Sequence, residues 1–62
     1  MAKPSKQRPW VVEVYVPAFN KWFDLDAYHD KEEAEMQMAL KRKRDPRTEF
    51  RVTEWRDQRG RG

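Results

Sequence analysis

Cysteine is absent from this 62-residue chain, which excludes a disulfide framework and a thiolate zinc site and makes a reducing compartment the simplest setting. Glycine occurs only at Gly60 and Gly62, so no glycine-rich loop exists to cradle phosphate. The single histidine, His29, falls just before an expected helix cap, and neither a serine nor a cysteine nucleophile with a positioned base can be assembled around it. Asp24 and Asp26 alternate onto one strand face, but a hard-cation site needs several more oxygen ligands. No apolar run approaches the roughly 20 residues that span a bilayer, and the opening MAKPSKQRP has no apolar core behind its lysines. The expectation is a non-enzymatic protein of the cytoplasm, with no cofactor, metal or membrane contact.

A chain this short buries only about 60 % of its unfolded surface and has room for one modest core. What it has in abundance is charge: 40 % of its residues are Asp, Glu, Lys or Arg, for a net +3. The charge is segregated. Residues 1–9 carry Lys3, Lys6 and Arg8; residues 10–40 set two lysines against seven acids; Lys41, Arg42, Lys43 and Arg44 follow in a run; and the chain closes on Arg56, Arg59 and Arg61. The body is acidic and the ends are basic. A dedicated nucleic-acid domain places positive charge on its reading surface, so this layout suits a mixed-charge protein partner at least as well as DNA.

Four elements follow from periodicity. PWVVEVYVP is apolar on both faces, as suits a central strand over residues 10–16, and Pro9 and Pro17 bracket it because proline cannot donate to a ladder. KWFDLDAY alternates, with Phe23, Leu25 and Ala27 on one face and Trp22, Asp24, Asp26 and Tyr28 on the other. Residues 17–21 are short enough for a hairpin, with Asn20 able to take a left-handed turn conformation. HDKEEAEMQMALKRKRDP reads as a helix: Asp30 is placed to cap it, Glu33 to complete a capping box, acids crowd its start and bases its end. Pro46 stops it near Arg44 or Asp45. Its apolar residues Ala34, Met36, Met38, Ala39 and Leu40 form no tight stripe, which predicts a broad, methionine-lined contact with the sheet. TEFRVTEW alternates again, Phe50 and Val52 against Arg51, Thr53 and Trp55.

The order strand, strand, helix, strand predicts an α+β fold: ββαβ, a three-stranded antiparallel or mixed sheet of order 2-1-3, with one helix packed on one face. The domain is expected over residues 10–56, between a disordered basic tail at 1–9 and an Arg/Gly-containing tail at 57–62. One helix covers one face. With the valines of the first strand in the core, the open face collects Tyr15, Trp22, Tyr28 and Trp55 among carboxylates and Arg51. Aromatics and arginine in such a setting are what protein interfaces favour. The plainer alternative is that these rings pack across strands and shield the sheet.

Two basic features could contact nucleic acid. Lys41, Arg42, Lys43 and Arg44 could meet phosphates, and Arg59 and Arg61 sit in a short arginine-glycine tail. Their plainer readings are dipole complementation at a helix end and solubilising chain ends.

The element order, with "PW" before the first strand, "AYHDKEEAE" entering the helix and "FRVTEWR" at the end, resembles the small phage-encoded inhibitors of bacterial RNA polymerase over about residues 10–56. That resemblance implies a host-takeover factor without enzymatic activity that docks on the β′ subunit near the downstream DNA channel and obstructs open-complex formation. It also implies docking through arginines of the last strand. Arg56 falls where one of them would be, whereas Glu54 stands in the place of another. The alternative is a small phage or mobile-element DNA-binding protein. "HDKEEAE" is similar to the helix start of integrase arm-binding domains, but those place three strands before the helix where two are expected here. Acids at Glu13, Asp24 and Asp26 would also repel phosphate from the open sheet.

Overall fold

The computed structural model describes residues 4–55. Strand β1 (Trp10–Val16) and strand β2 (Lys21–Tyr28) form a hairpin, helix α1 (Lys31–Arg44) follows, and strand β3 (Phe50–Glu54) closes the sheet. The strand order is β2-β1-β3, with β1 antiparallel to both neighbours. This is the arrangement that the element order predicts. A helical crossover returns β3 running the same way as β2, and β1 fills the place between them.

The hairpin turns at residues 17–20. Phe19 N donates to the Val16 carbonyl and Asn20 N to that of Pro17, both at 3.1 Å. Asn20 has φ 54°, the left-handed conformation that asparagine tolerates better than most residues. Before β1, Ser5 and Arg8 close a turn by exchanging backbone hydrogen bonds of 3.2 and 3.1 Å. Residues 1–3 and 56–62, including Arg56, Arg59 and Arg61, lie outside the described residues.

Helix α1 ends as its sequence dictates. Asp45 is the C-cap and its N–H reaches the Lys41 carbonyl at 2.9 Å, and Pro46 prevents continuation. At the other end Asp30 occupies the N-cap with extended backbone angles, but its side chain makes no capping hydrogen bond. The expected capping box does not form. Glu33 instead lines a cleft with Asp26, Tyr28 and His29.

The helix meets the sheet along Ala34, Gln37, Met38 and Lys41, of which Ala34 is buried and the other three are half-buried. Their spacing of i, i+3, i+4, i+7 is one helical face. This corrects the expected broad contact: Met36 is 59 % and Leu40 52 % exposed, and Ala39 is exposed too. At about 100° per residue, Met36, Ala39 and Leu40 fall opposite the face that Ala34 defines, so only Ala34 and Met38 of the five apolar residues reach the sheet. The small Ala34 side chain allows the helix to lie close to the sheet, and both Ala34 and Val12 are fully buried. Val11, Val12, Ala27 and Ala34 are the buried apolar residues among those described. Burying a valine contributes about 2 kcal/mol, so four such small side chains make a thin core.

Candidate functional site

The faces of the sheet are set by pairing. In an antiparallel ladder, residues directly opposite one another share a face. Val14 pairs with Phe23 and Phe50, and Val12 with Asp26 and Val52; this is the helix side. Glu13 pairs with Asp24 and Arg51, Tyr15 with Trp22, and Val11 with Ala27 and Thr53; this is the open side.

The register contains an irregularity. Val12 faces Asp26 but Glu13 faces Asp24, so Leu25 is an extra residue in β2, a bulge that switches the alternation. The sequence expectation placed Phe23, Leu25 and Ala27 together toward the helix, with Trp22, Asp24, Asp26 and Tyr28 on the open side. The bulge divides both sets. Trp22 and Asp24 are on the open side, whereas Asp26 and Tyr28 share the helix side with Trp10. Tyr28 therefore leaves the open aromatic surface. Its position shows in its phenol, whose pKa is raised above 10.0 by burial first, then by the Asp26 and Glu33 carboxylates.

What remains on the open side is a tight cluster at one end. The Tyr15 and Trp22 ring centres are 5.3 Å apart at 56°. They belong to a non-hydrogen-bonded pair, the kind that brings side chains closest. The Tyr15 hydroxyl donates to Asn20 Oδ1, tying the ring to the turn. Arg51 reaches across β1 so that its guanidinium carbon lies 4.1 Å from the Trp22 ring centre, while its Nε donates to Glu13 Oε1 at 2.6 Å. Both planar contacts suit arginine better than lysine. Beside them Asp24 has its pKa raised above 3.8, by burial first and then by a hydrogen bond to and repulsion from Glu13. The cluster is a ring pair, two adjacent carboxylates and a cation that partly neutralises them.

The other end of the same face is closed. Val11 is 2 % and Ala27 4 % exposed, although both point away from the helix. The Trp55 N–H donates to the Pro9 carbonyl at 2.7 Å, which extends the β1–β3 ladder by one residue and makes Trp55 a diagonal neighbour of Val11. A ring of that size reaches a diagonal neighbour. Trp55 is half-buried and stands apart from the Tyr15–Trp22–Arg51 cluster. Of Tyr15, Trp22, Arg51, Trp55 and Arg56, the residues expected to contact a partner, the structure brings together the first three; Arg56 lies outside the described residues.

Of the basic run, Arg42, Lys43 and Arg44 are exposed and Lys41 is half-buried. Lys41, Lys43 and Arg44 surround Leu40 and Gln37 in a shallow cleft of about 350 Å³. Phe19 and Phe23, 67 % and 40 % exposed, meet edge to face at 5.9 Å near the hairpin. Phe23, expected in the core from its alternation, is thus partly exposed beside Phe19. Among the described residues no group of three or more His, Cys, Asp or Glu side chains is arranged to hold a metal ion, and no helix is long and apolar enough to cross a membrane.

Fold and site together define a ββαβ domain with a preassembled aromatic and charged platform at one end of its open sheet. No known protein family, curated protein or solved structure matches the chain.

Proposed function

We propose that this chain is a small non-enzymatic protein-binding module whose contact surface is the open sheet face around Tyr15, Trp22 and Arg51. The observation that carries this reading is the Arg51–Trp22 stack at 4.1 Å beside the Tyr15–Trp22 pair. Tryptophan, tyrosine and arginine dominate binding hot spots, and here internal contacts already fix their rotamers, which lowers the entropy lost on docking. Arg51 spends Nε on Glu13 and its side chain remains 47 % exposed, leaving the guanidinium's terminal nitrogens to donate to a partner carboxylate. Glu13 and Asp24 offer acceptors to a partner cation. The surface is mixed in charge, which suits a partner of complementary mixed charge.

The partner we propose is a bacterial host protein, with RNA polymerase the first candidate on the resemblance set out above, and the chain a phage host-takeover factor that inhibits transcription in the host cytoplasm. The test is direct binding of the purified chain to purified bacterial RNA polymerase, with an abortive-initiation assay alongside. Binding that survives nuclease treatment and is lost in Trp22→Ala supports the reading. Failure to bind sinks the polymerase assignment, and capture of a different bacterial protein through the same residues keeps the module and changes its target.

The exposed Arg42, Lys43 and Arg44 favour a second reading, a small DNA-binding protein. In that case affinity for bare duplex falls steeply with salt, as counterion release requires, and neutralising residues 41–44 removes it while Trp22→Ala leaves it intact.

A further inference from the structure

The outer face of α1 carries a pattern that neither the core nor the open sheet uses. Met36 and Leu40 are 59 % and 52 % exposed at its centre, one turn apart, with Ala39 exposed between them. Glu32 and Lys43 continue the same stripe at either end. At about 100° per residue, Glu33 and Arg44 fall on one flank of that stripe and Glu35 and Arg42 on the other. All six charges are exposed, and none is in an ion pair among the described residues.

We propose that a second copy of this chain docks on this face, pairing the two α1 helices antiparallel about a two-fold axis close to residue 38. In that arrangement Met36 of each copy meets Leu40 of the other. Glu33 meets Arg44 on one flank, Glu35 meets Arg42 on the opposite flank, and Glu32 meets Lys43 along the seam. Every charged position finds the opposite sign, and the helix dipoles oppose as well. A parallel pairing would set acid against acid at one end and base against base at the other. Acids first and bases last also suit an isolated helix, but the dipole alone requires neither the match on both flanks nor two large apolar side chains left in water between them. An isologous patch of this kind must be self-complementary under a two-fold, and this one is.

A helix of 14 residues is about 21 Å long, so each copy contributes a small area, at the low end of specific interfaces. The dimer is therefore weak, dependent on concentration and weakened by salt.

Sedimentation equilibrium of the full chain, from roughly 10 μM to 1 mM at low and high salt, tests this. A monomer–dimer equilibrium is expected, with Leu40→Glu raising the dissociation constant at least about tenfold while the helical circular dichroism is unchanged. Arg44→Glu alone and Glu33→Arg alone should each weaken self-association, because each sets like charges together twice. The two substitutions in one chain should restore it, since position 33 meets position 44 only in the antiparallel dimer. The proposal is overturned if the chain stays monomeric throughout, if Leu40→Glu leaves association unchanged, or if the charge-swapped chain is no better than its single variants. A monomeric chain that binds an acidic amphipathic peptide on this stripe would likewise replace the second copy with a different partner.

Discussion

Arg51 lies over the Trp22 ring at 4.1 Å, a contact that runs from one edge strand to the other across β1. The same side chain holds Glu13, so one arginine straps three strands together on the face that the helix leaves open. A domain with so thin a core depends on such straps. Its rings therefore shield the sheet, and that use does not exclude the proposed one as a surface for a partner. A stacked guanidinium with free terminal nitrogens is a fixed donor.

Replacing Arg51 by alanine should cost about 1 kcal/mol of folding stability, the sum expected for an exposed cation–π contact and a partly exposed ion pair. Arg51→Lys should recover less than half, because an ammonium does not stack and pair at once. Urea denaturation of both variants, with Glu13→Gln to complete the cycle, measures this. A fully stable Arg51→Ala would show that the strap contributes nothing.

Asp24 gives the stability a pH dependence with an unusual sign. Its folded pKa is raised above 3.8 by burial and then by Glu13, so the folded chain holds the proton more tightly than the unfolded one. Wherever the folded state binds more protons, stability falls as pH rises. The Asp24 contribution should therefore be greatest below its ordinary value and be lost as pH climbs through the raised one. Asp24→Asn should flatten that slope and stabilise the domain at neutral pH. Chemical denaturation between pH 3 and pH 7, roughly the window in which carboxylates titrate, reads the difference. An unchanged slope in Asp24→Asn would remove Asp24 as its source.

Asn20 serves the hairpin twice, by adopting φ 54° and by accepting the Tyr15 hydroxyl. Asn20→Gly should keep the turn and lose only the side-chain bond, whereas Asn20→Ala should lose both, at a further cost of about 1 kcal/mol. The thermal midpoints should rank wild type, glycine, alanine. An alanine variant more stable than glycine would contradict the backbone argument.

The hairpin and the helix stop were legible because the chemistry is local: a residue tolerant of positive φ in a short loop, and Pro46 after a basic last turn. The strand order followed from connection rules that need no side-chain detail. The faces were not fully legible. Nothing in KWFDLDAY marks Leu25 as the extra residue, since a bulge answers to its partner strand, and a single inserted position moved Tyr28 to the helix side. The helix face was misjudged for a related reason. Five apolar residues in α1 compete for a contact only one helical face wide, and Ala34 and Met38 are the two that fall on it. Of the candidate surface, Tyr15, Trp22 and Arg51 converge as alternation implied, whereas Trp55 was separated from them by the covered patch over Val11 and Ala27.

That separation distinguishes the two exposed-side tryptophans. Sequence alternation alone gives Trp22 and Trp55 the same role, a partner anchor whose loss leaves the fold intact. In the structure Trp55 extends the β1–β3 ladder past Glu54 and sits diagonally to the buried Val11, so its ring belongs to the fold. Trp55→Ala should lower stability by about 1 to 2 kcal/mol, the scale for removing a half-buried aromatic, and any loss of binding should follow the unfolded fraction. Trp22 stacks on a half-exposed arginine at the open end. Trp22→Ala, which removes the Arg51 stack and the Tyr15 contact, should cost a similar amount of stability and yet weaken partner binding at least about thirtyfold, the scale of a hot-spot aromatic and more than the unfolded fraction accounts for. Measuring urea stability and binding on the same two variants decides the matter. If Trp55→Ala abolishes binding at full stability while Trp22→Ala binds normally, the contact surface lies at the chain's closing strand and not at the Tyr15–Trp22–Arg51 platform.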